Sequence, residues 1–363
     1  MRAAGVPCTV SPPSLPDYHP NVILVSILKL FAVLICAGIL LSVVTVLMMS
    51  RMLLRPRRMT DVRALLRLNR MSPEDLGLPF ESMTFPVRDT KTGEAFHLAS
   101  WWIRGPAAGR RGRCAIILHG YGDAKVGGIA WAPMFHERGW NVLAMDLRAH
   151  GESGGKDSTA GFYERHDLQQ AIADLRARLP DETQTIVLFG VSLGAAVALA
   201  AAELCEREGQ NIAGVICDSP FADYYQAVAT HGDILGFPGG IFRDLGMKLA
   251  EATTGARFRD VRPVDLIGRV RAPLMLIISD EDPFVPTRDA GRLDNAAQQR
   301  LATRITSVWH IPSCPHIFGL AFATDAYREQ VGRFLDVISG DRGEVHRGDA
   351  ESTEKTLITN RQK

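Results

Sequence analysis

The sequence predicts an α/β fold: a mostly parallel sheet covered by helices on both faces, preceded by one N-terminal transmembrane helix. Three observations lead there. Short apolar runs alternate with helical patterns through most of the chain, the mark of a parallel sheet buried on both faces. One uncharged apolar stretch, Leu30 to Met49, has the roughly twenty residues a helix needs to cross a bilayer. The 363 residues are 46% apolar and 22% charged, which excludes disordered, collagen-like and repetitive classes.

Residues 1–21 form an N-terminal tail and 22–50 the expected transmembrane helix. Val22 to Leu28 extends the apolar run outward, and Lys29 interrupts it where a long side chain can reach the headgroups. No polar face can be drawn on the run, which argues against a buried core helix. A cleaved signal peptide has basic residues before a shorter apolar core and a small-residue cleavage site. Here only Arg2 is basic near the start, and Arg51, Arg55, Arg57 and Arg58 follow the run instead. An uncleaved single-pass anchor in the cell membrane is expected. The basic flank places the N-terminus outside and the large C-terminal part in the cytoplasm. Residues 51–75 read as a basic juxtamembrane linker. Within it, Met59 to Arg70 is open to two readings. One is an amphipathic helix on the membrane surface, with Val62, Leu65 and Leu66 inward and Arg63, Arg67 and Arg70 outward. The other is a solvated linker helix.

The main domain is expected over 76–339. Ser82–Val87 and Ala95–Ile103 read as leading strands, in an antiparallel hairpin at the sheet edge. The runs Ala115–Leu118, Asn141–Met145, Thr185–Phe189, Ile212–Cys217 and Leu274–Ile278 read as buried parallel strands. Between them, Leu168, Ile172, Leu175 and Leu179 recur at helical spacing, and the Ala-rich stretch from Ser192 to Glu206 favours helix. Residues 340–363 are charged and polar without apolar period, an expected disordered tail. Lys+Arg is 41 against 40 Asp+Glu, a formal charge of +1. That balance excludes a whole-chain nucleic-acid binder, which needs a basic field. Six Cys with no C-x-x-C pair suggest neither a disulfide scaffold nor zinc. No metal or cofactor is expected.

Gly190-Val-Ser192-Leu-Gly194 is a G-x-S-x-G pattern between a buried strand and an Ala-rich helix, the setting of a nucleophile elbow. Ser192 would sit exposed at a helix N-terminus, where the dipole favours developing negative charge. His119-Gly120-Tyr121-Gly122 directly follows a strand. A loop there can aim a backbone N–H at a substrate carbonyl oxygen. The amides of Tyr121 and Leu193 are therefore the expected oxyanion hole, the Tyr121 side chain is free to line the acyl pocket, and His119 is expected to hold the loop. A nucleophilic serine needs a base, and the base a carboxylate, in the chain order Ser, acid, His. His316 lies in a loop before the last helix and is the expected base. His310 ends a β run, His231 falls in the lid and His346 in the tail. Three carboxylates, Asp280, Glu281 and Asp282, end the strand Leu274–Ile278. Asp282 is the expected acid, Asp280 the alternate and Asp218 a third candidate.

Together, the His119-Gly-Tyr-Gly122 loop, the Asp146-x-Arg148-x-His150-Gly151-x-Ser153 segment, the elbow, Asp282-x-x-Val-Pro286 and His316 resemble the α/β-hydrolase superfamily. Within it they look like the serine-aminopeptidase-like and monoglyceride-lipase-like branch. The anchor with Ala160-Gly-Phe-Tyr163-Glu and Asp167 looks closest to bacterial membrane-anchored hydrolases. The resemblance covers about 76–338. The choice of Asp282 follows the family's strand-end pattern, His-Gly-x-x-Asp before Val-Pro. Ile278-Ser279 depart from its first two positions and keep Asp280 open. In this fold an insertion at about 219–271 forms a lid, and its Leu235, Phe237, Ile241 and Phe242 favour an apolar acyl group. The resemblance implies a membrane-anchored serine hydrolase cleaving a carboxylic ester or thioester of a small or lipid-like acyl substrate. A peptidase or amidase, an acyltransferase and a non-catalytic membrane-tethered scaffold are the alternatives.

Overall fold

The computed structural model describes residues 20–106, 112–236, 239–300 and 304–340. The expected tail beyond 340 with its His346, nearly all of the N-terminal tail, and Phe237 of the lid lie outside them. Eight strands form one sheet in the order β1-β2-β4-β3-β5-β6-β7-β8. They are β1 (Glu81–Arg88), β2 (Ala95–Ile103), β3 (Arg113–Leu118), β4 (Asn141–Met145), β5 (Thr185–Val191), β6 (Gly214–Asp218), β7 (Leu274–Ser279) and β8 (Thr306–Ile311). β1 and β2 pair antiparallel, and β2 pairs antiparallel with β4. All other pairings are parallel. The central strands are buried almost end to end, which is why their sequences run apolar without alternation. Edge strand β1 instead alternates buried and exposed positions over its second half.

The helices in chain order are α1 (Pro20–Leu54), α2 (Asp61–Leu68), α3 (Lys125–Gly128), α4 (Ala132–His136), α5 (Glu164–Arg178), α6 (Leu193–Arg207), α7 (Tyr224–Ile234), α8 (Ile241–Thr254), α9 (Pro263–Arg269), α10 (Thr287–Gln298), α11 (Gly319–Phe322) and α12 (Thr324–Ser339). α5, α6, α9 and α10 bury their apolar faces in one core, and α4 and α12 in a second, on the other side of the sheet. Because the central strands run parallel, the loops after β3, β5, β6, β7 and β8 share one edge. That edge is where such sheets place their ligands.

The N-terminal segments differ from expectation in two ways. α1 does not stop at residue 50 but continues to Leu54, where Pro56 ends the helical path. Its last turns are held by packing: Ser50 and Leu54 are buried. From Leu24 to Leu41 the side chains are exposed, and Leu24–Leu54 is long and apolar enough to cross a membrane. Residues 51–75 are not a free linker. Arg55 pairs with Asp157 at 3.1 Å. Arg58 donates to the carbonyls of Gly151 (2.8 Å) and Ser153 (2.6 Å). α2, capped by Thr60, packs Ala64 against Ala124 and Val126. Its Val62, Leu65 and Leu66 point away from the domain, 50–80% exposed.

Candidate active site

β5 runs into Ser192, and α6 begins at the next residue. Ser192 has φ +52° and ψ −112°, a conformation that costs a non-glycine residue about 1–3 kcal/mol. Its N–H donates to Asp218 O at 2.9 Å, tying the turn to β6. The elbow is too tight for side chains on either side. A Cβ on Gly190 would lie 2.2 Å from Gly194 O, and one on Gly194 2.1 Å from Leu118 O. The G-x-S-x-G spacing is thus the price of pressing α6 against the end of β3.

The loop after β3 stands beside it: a Cβ on Gly120 would be 3.7 Å from Ser192 Cβ. His119 fixes this loop. Its Nδ1 donates to Gly120 O at 2.7 Å, and its Nε2 accepts from Leu147 N at 3.1 Å. Burial pushes its pKa down to about 4, so the ring is neutral and fully engaged. Beneath, Lys125 donates to Asp146 from both its backbone N (2.6 Å) and its Nζ (2.8 Å). Arg148 forks onto Asp167 and reaches Asp89 at 3.0 Å. The Asp146–Ser153 motif is therefore a buried ionic floor for the loops above, and Arg58, in the segment between α1 and α2, docks on its backbone.

A cavity of about 240 Å³ opens over Ser192. Tyr121 and Leu193 line it with Ser192, as do Phe221, Tyr224, Val228, His231 and Leu235. Met49, Met52 and Leu53 of α1 complete the wall. Among the described residues no carboxylate lines it. α7, from the segment expected as a lid, supplies one side. Of the lid residues singled out from sequence, Leu235 lines the cavity, Ile241 is exposed and Phe242 half-buried.

Asp282 and His316 meet at this edge, in the loops after β7 and β8. Asp282 Oδ2 accepts from His316 Nδ1, while Oδ1 accepts the N–H groups of Phe284 (2.7 Å) and Val285 (3.0 Å). The Asp282 side chain is 1% exposed and that of His316 13%. An ionised carboxylate only accepts, so the proton sits on Nδ1 and Nε2 is left as a lone-pair base. The alternates form a separate pair: His310 Nδ1 meets Asp280 Oδ1 at 2.8 Å, with both side chains about 40% exposed. Asp218 is committed elsewhere, accepting from Tyr327 OH (2.6 Å) and Ser219 Oγ (2.9 Å).

Two features of the site had little signal in sequence. His231, set aside as a lid residue, stacks on Phe284 with ring centroids 4.4 Å apart, and Phe284 in turn meets His316 edge-on at 5.2 Å. Its Nδ1 donates to Ala227 O at 2.8 Å, and burial lowers its pKa. The α1 wall had no signal at all, because hydropathy does not say what a helix end touches. Among the described residues, no three His, Cys, Asp or Glu side chains gather as a metal-binding set.

Comparison with known proteins bears on the fold. The family model for serine aminopeptidases, S33, matches residues 110–263. The chain is 31% identical over 262 residues to the uncharacterized protein YfhR of Escherichia coli O157:H7, covering 70% of this chain and 80% of YfhR. It is 26% identical over 205 residues to the lysophosphatidylserine lipase ABHD12 of Xenopus tropicalis, 54% of this chain and 50% of that one. In structure it is similar to the Pyrococcus furiosus esterase Pf2001, with TM-score 0.61 at 23% identity, over 78% of this chain and 97% of the esterase. At that identity the likeness concerns the fold.

Proposed function

Because the chain belongs to the α/β-hydrolase superfamily, in its serine-aminopeptidase-like and monoglyceride-lipase-like branch, we propose that it is a membrane-anchored serine hydrolase of carboxylic esters or thioesters. The observation that carries this reading is Ser192 on a strained elbow, facing an apolar cavity, at the sheet edge that also holds His316 paired with the buried Asp282.

In this mechanism Ser192 Oγ attacks the substrate carbonyl carbon while His316 Nε2 takes its proton. Asp282 stays ionised; it holds the tautomer and stabilises the imidazolium. The N–H groups of Tyr121 and Leu193 receive the tetrahedral oxyanion. Leu193 opens α6, so its N–H has no partner within the helix. Collapse expels the alcohol or thiol, which takes the proton from His316. Water, deprotonated by His316, then attacks the acyl-enzyme, releasing the carboxylic acid and restoring Ser192. The cavity lining supports an ester or thioester over an amino-terminal peptide, since among the described residues it offers no carboxylate to an α-ammonium group. The lipase relative is in keeping with an acyl substrate.

Membrane anchorage is supported by the length and apolarity of α1 and by its exposed upper part. Retention of the helix, rather than cleavage as a signal, is supported by its last turns. They carry the buried Ser50 and Leu54 and a wall of the cavity, all of which cleavage beyond Leu54 would remove. The arginine flank supports a cytoplasmic domain.

Labelling isolated membranes with a fluorophosphonate tests the reading. Wild type is expected to label and Ser192→Ala not to. No labelling of folded wild type would favour the scaffold alternative, and labelling that survives in Ser192→Ala would place the nucleophile elsewhere.

A further inference from the structure

We infer that the anchoring helix is itself part of the substrate site, and that the substrate is a bilayer-borne ester whose long acyl chain runs along α1 into the cavity beside Ser192. This rests on the serine-hydrolase reading above and specifies its substrate class.

Twenty residues suffice for a roughly 30 Å hydrocarbon layer. Counted from Leu30, they end at Met49. Met49, Met52 and Leu53 therefore stand where the bilayer core gives way to headgroups, and these three residues wall the cavity over Ser192. The junction is fixed to the site. Tyr121, next to the nucleophile loop, donates its hydroxyl to the Met52 and Leu53 carbonyls. Ser158 N donates to Leu54 O at 2.7 Å. α8 packs along the same stretch of α1. A Cβ on Gly246 would come within 3.0 Å of Met49 Cβ, so the glycine permits the approach.

The surface around this junction is apolar as well. Ile234, Leu235, Ile241 and Leu245 at the ends of α7 and α8 are 44–67% exposed. A cluster of large apolar side chains beside a membrane helix fits immersion in the bilayer boundary rather than contact with water. Leu235 belongs both to this rim and to the cavity lining, so the mouth opens on the apolar side. The cavity, about 240 Å³, is smaller than the roughly 300–1,000 Å³ of sites that enclose a whole drug-sized ligand. It holds the carbonyl end of a chain while the remainder lies along α1 in the lipid. Two methionines on the wall suit this, because their unbranched side chains adapt to a flexible chain.

The test uses the full chain reconstituted in phosphatidylcholine vesicles, with p-nitrophenyl palmitate and p-nitrophenyl butyrate as probes. Met52 is half-exposed, at 46%, so substitution there spares the core. The palmitate-to-butyrate ratio of kcat/KM is expected to fall about tenfold in Met52→Trp, and to stay within about twofold in Met52→Leu. Met52→Ala is expected to raise the ratio, which keeps the test decisive if the tryptophan variant folds poorly. Ratios that stay flat in both Met52→Trp and Met52→Ala, with wild type still labelled at Ser192 by a small fluorophosphonate, overturn this inference alone. Failure of wild type to label overturns the hydrolase reading beneath it.

Discussion

Two aspartate–histidine pairs leave the same two strands of the sheet, and they differ in almost everything except composition. Asp280 and His310 meet in the open, about 40% exposed on both sides. Asp282 and His316 meet under cover, with two backbone amides holding the second carboxylate oxygen. In the first pair water competes for each partner, so the contact fixes little. In the second the carboxylate has one orientation, and so does the imidazole, whose free nitrogen is thereby defined. An Asp beside a His is common; burial and a satisfied second oxygen are what make such a pair able to hold a general base.

The comparison can be broken most easily through the histidines. His316→Ala is expected to lower ester turnover by about 10⁶-fold, whereas His310→Ala stays within about threefold; steady-state hydrolysis of a short ester measures both. Similar losses in the two variants would erase the distinction. The same contrast extends to ion pairs away from the site. Arg148, forked on the buried Asp167, is expected to cost about 3–5 kcal/mol of stability when replaced by Met. Lys156, beside Glu94 at 3.6 Å and 77% exposed, costs under about 1 kcal/mol. Urea unfolding of the purified variants in detergent reads the difference.

A smaller effect comes from pH. Burial holds the His119 pKa at about 4 in the folded protein, against about 6.5 unfolded. Below about 6.5 the unfolded chain binds the proton and the folded chain does not. Stability is therefore complete above that pH and declines as pH falls toward 4, by about 2 kcal/mol at pH 5 from this group. Unfolding midpoints at pH 7 and 5 should show a shallower decline in His119→Gln than in wild type, and parallel declines would contradict the assignment.

Much of this was legible in the residues. The central strands announce themselves because both faces are buried, and the elbow because Gly190 and Gly194 have no alternative. The choice between Asp280 and Asp282 was harder. They lie two residues apart in one loop, and what separates them is the amides of Phe284 and Val285, which any sequence would supply. The extension of α1 was missed for a different reason. A long apolar helix has one hydropathy signature whether it ends in solvent or, as Met49 to Leu54 do, against a cavity and a core. The docking of Arg58 was hidden too, because its partners are backbone carbonyls of a loop some ninety residues away.

The central claim is that Asp282, and not Asp280, orients the base that activates Ser192. The most direct measurement is the rate of fluorophosphonate labelling of Ser192 in wild type, Asp280→Asn and Asp282→Asn, side by side. The account predicts a rate within about threefold of wild type for Asp280→Asn and a loss approaching about 10⁴-fold for Asp282→Asn. Unimpaired labelling in Asp282→Asn, or a comparable loss in both variants, would contradict it.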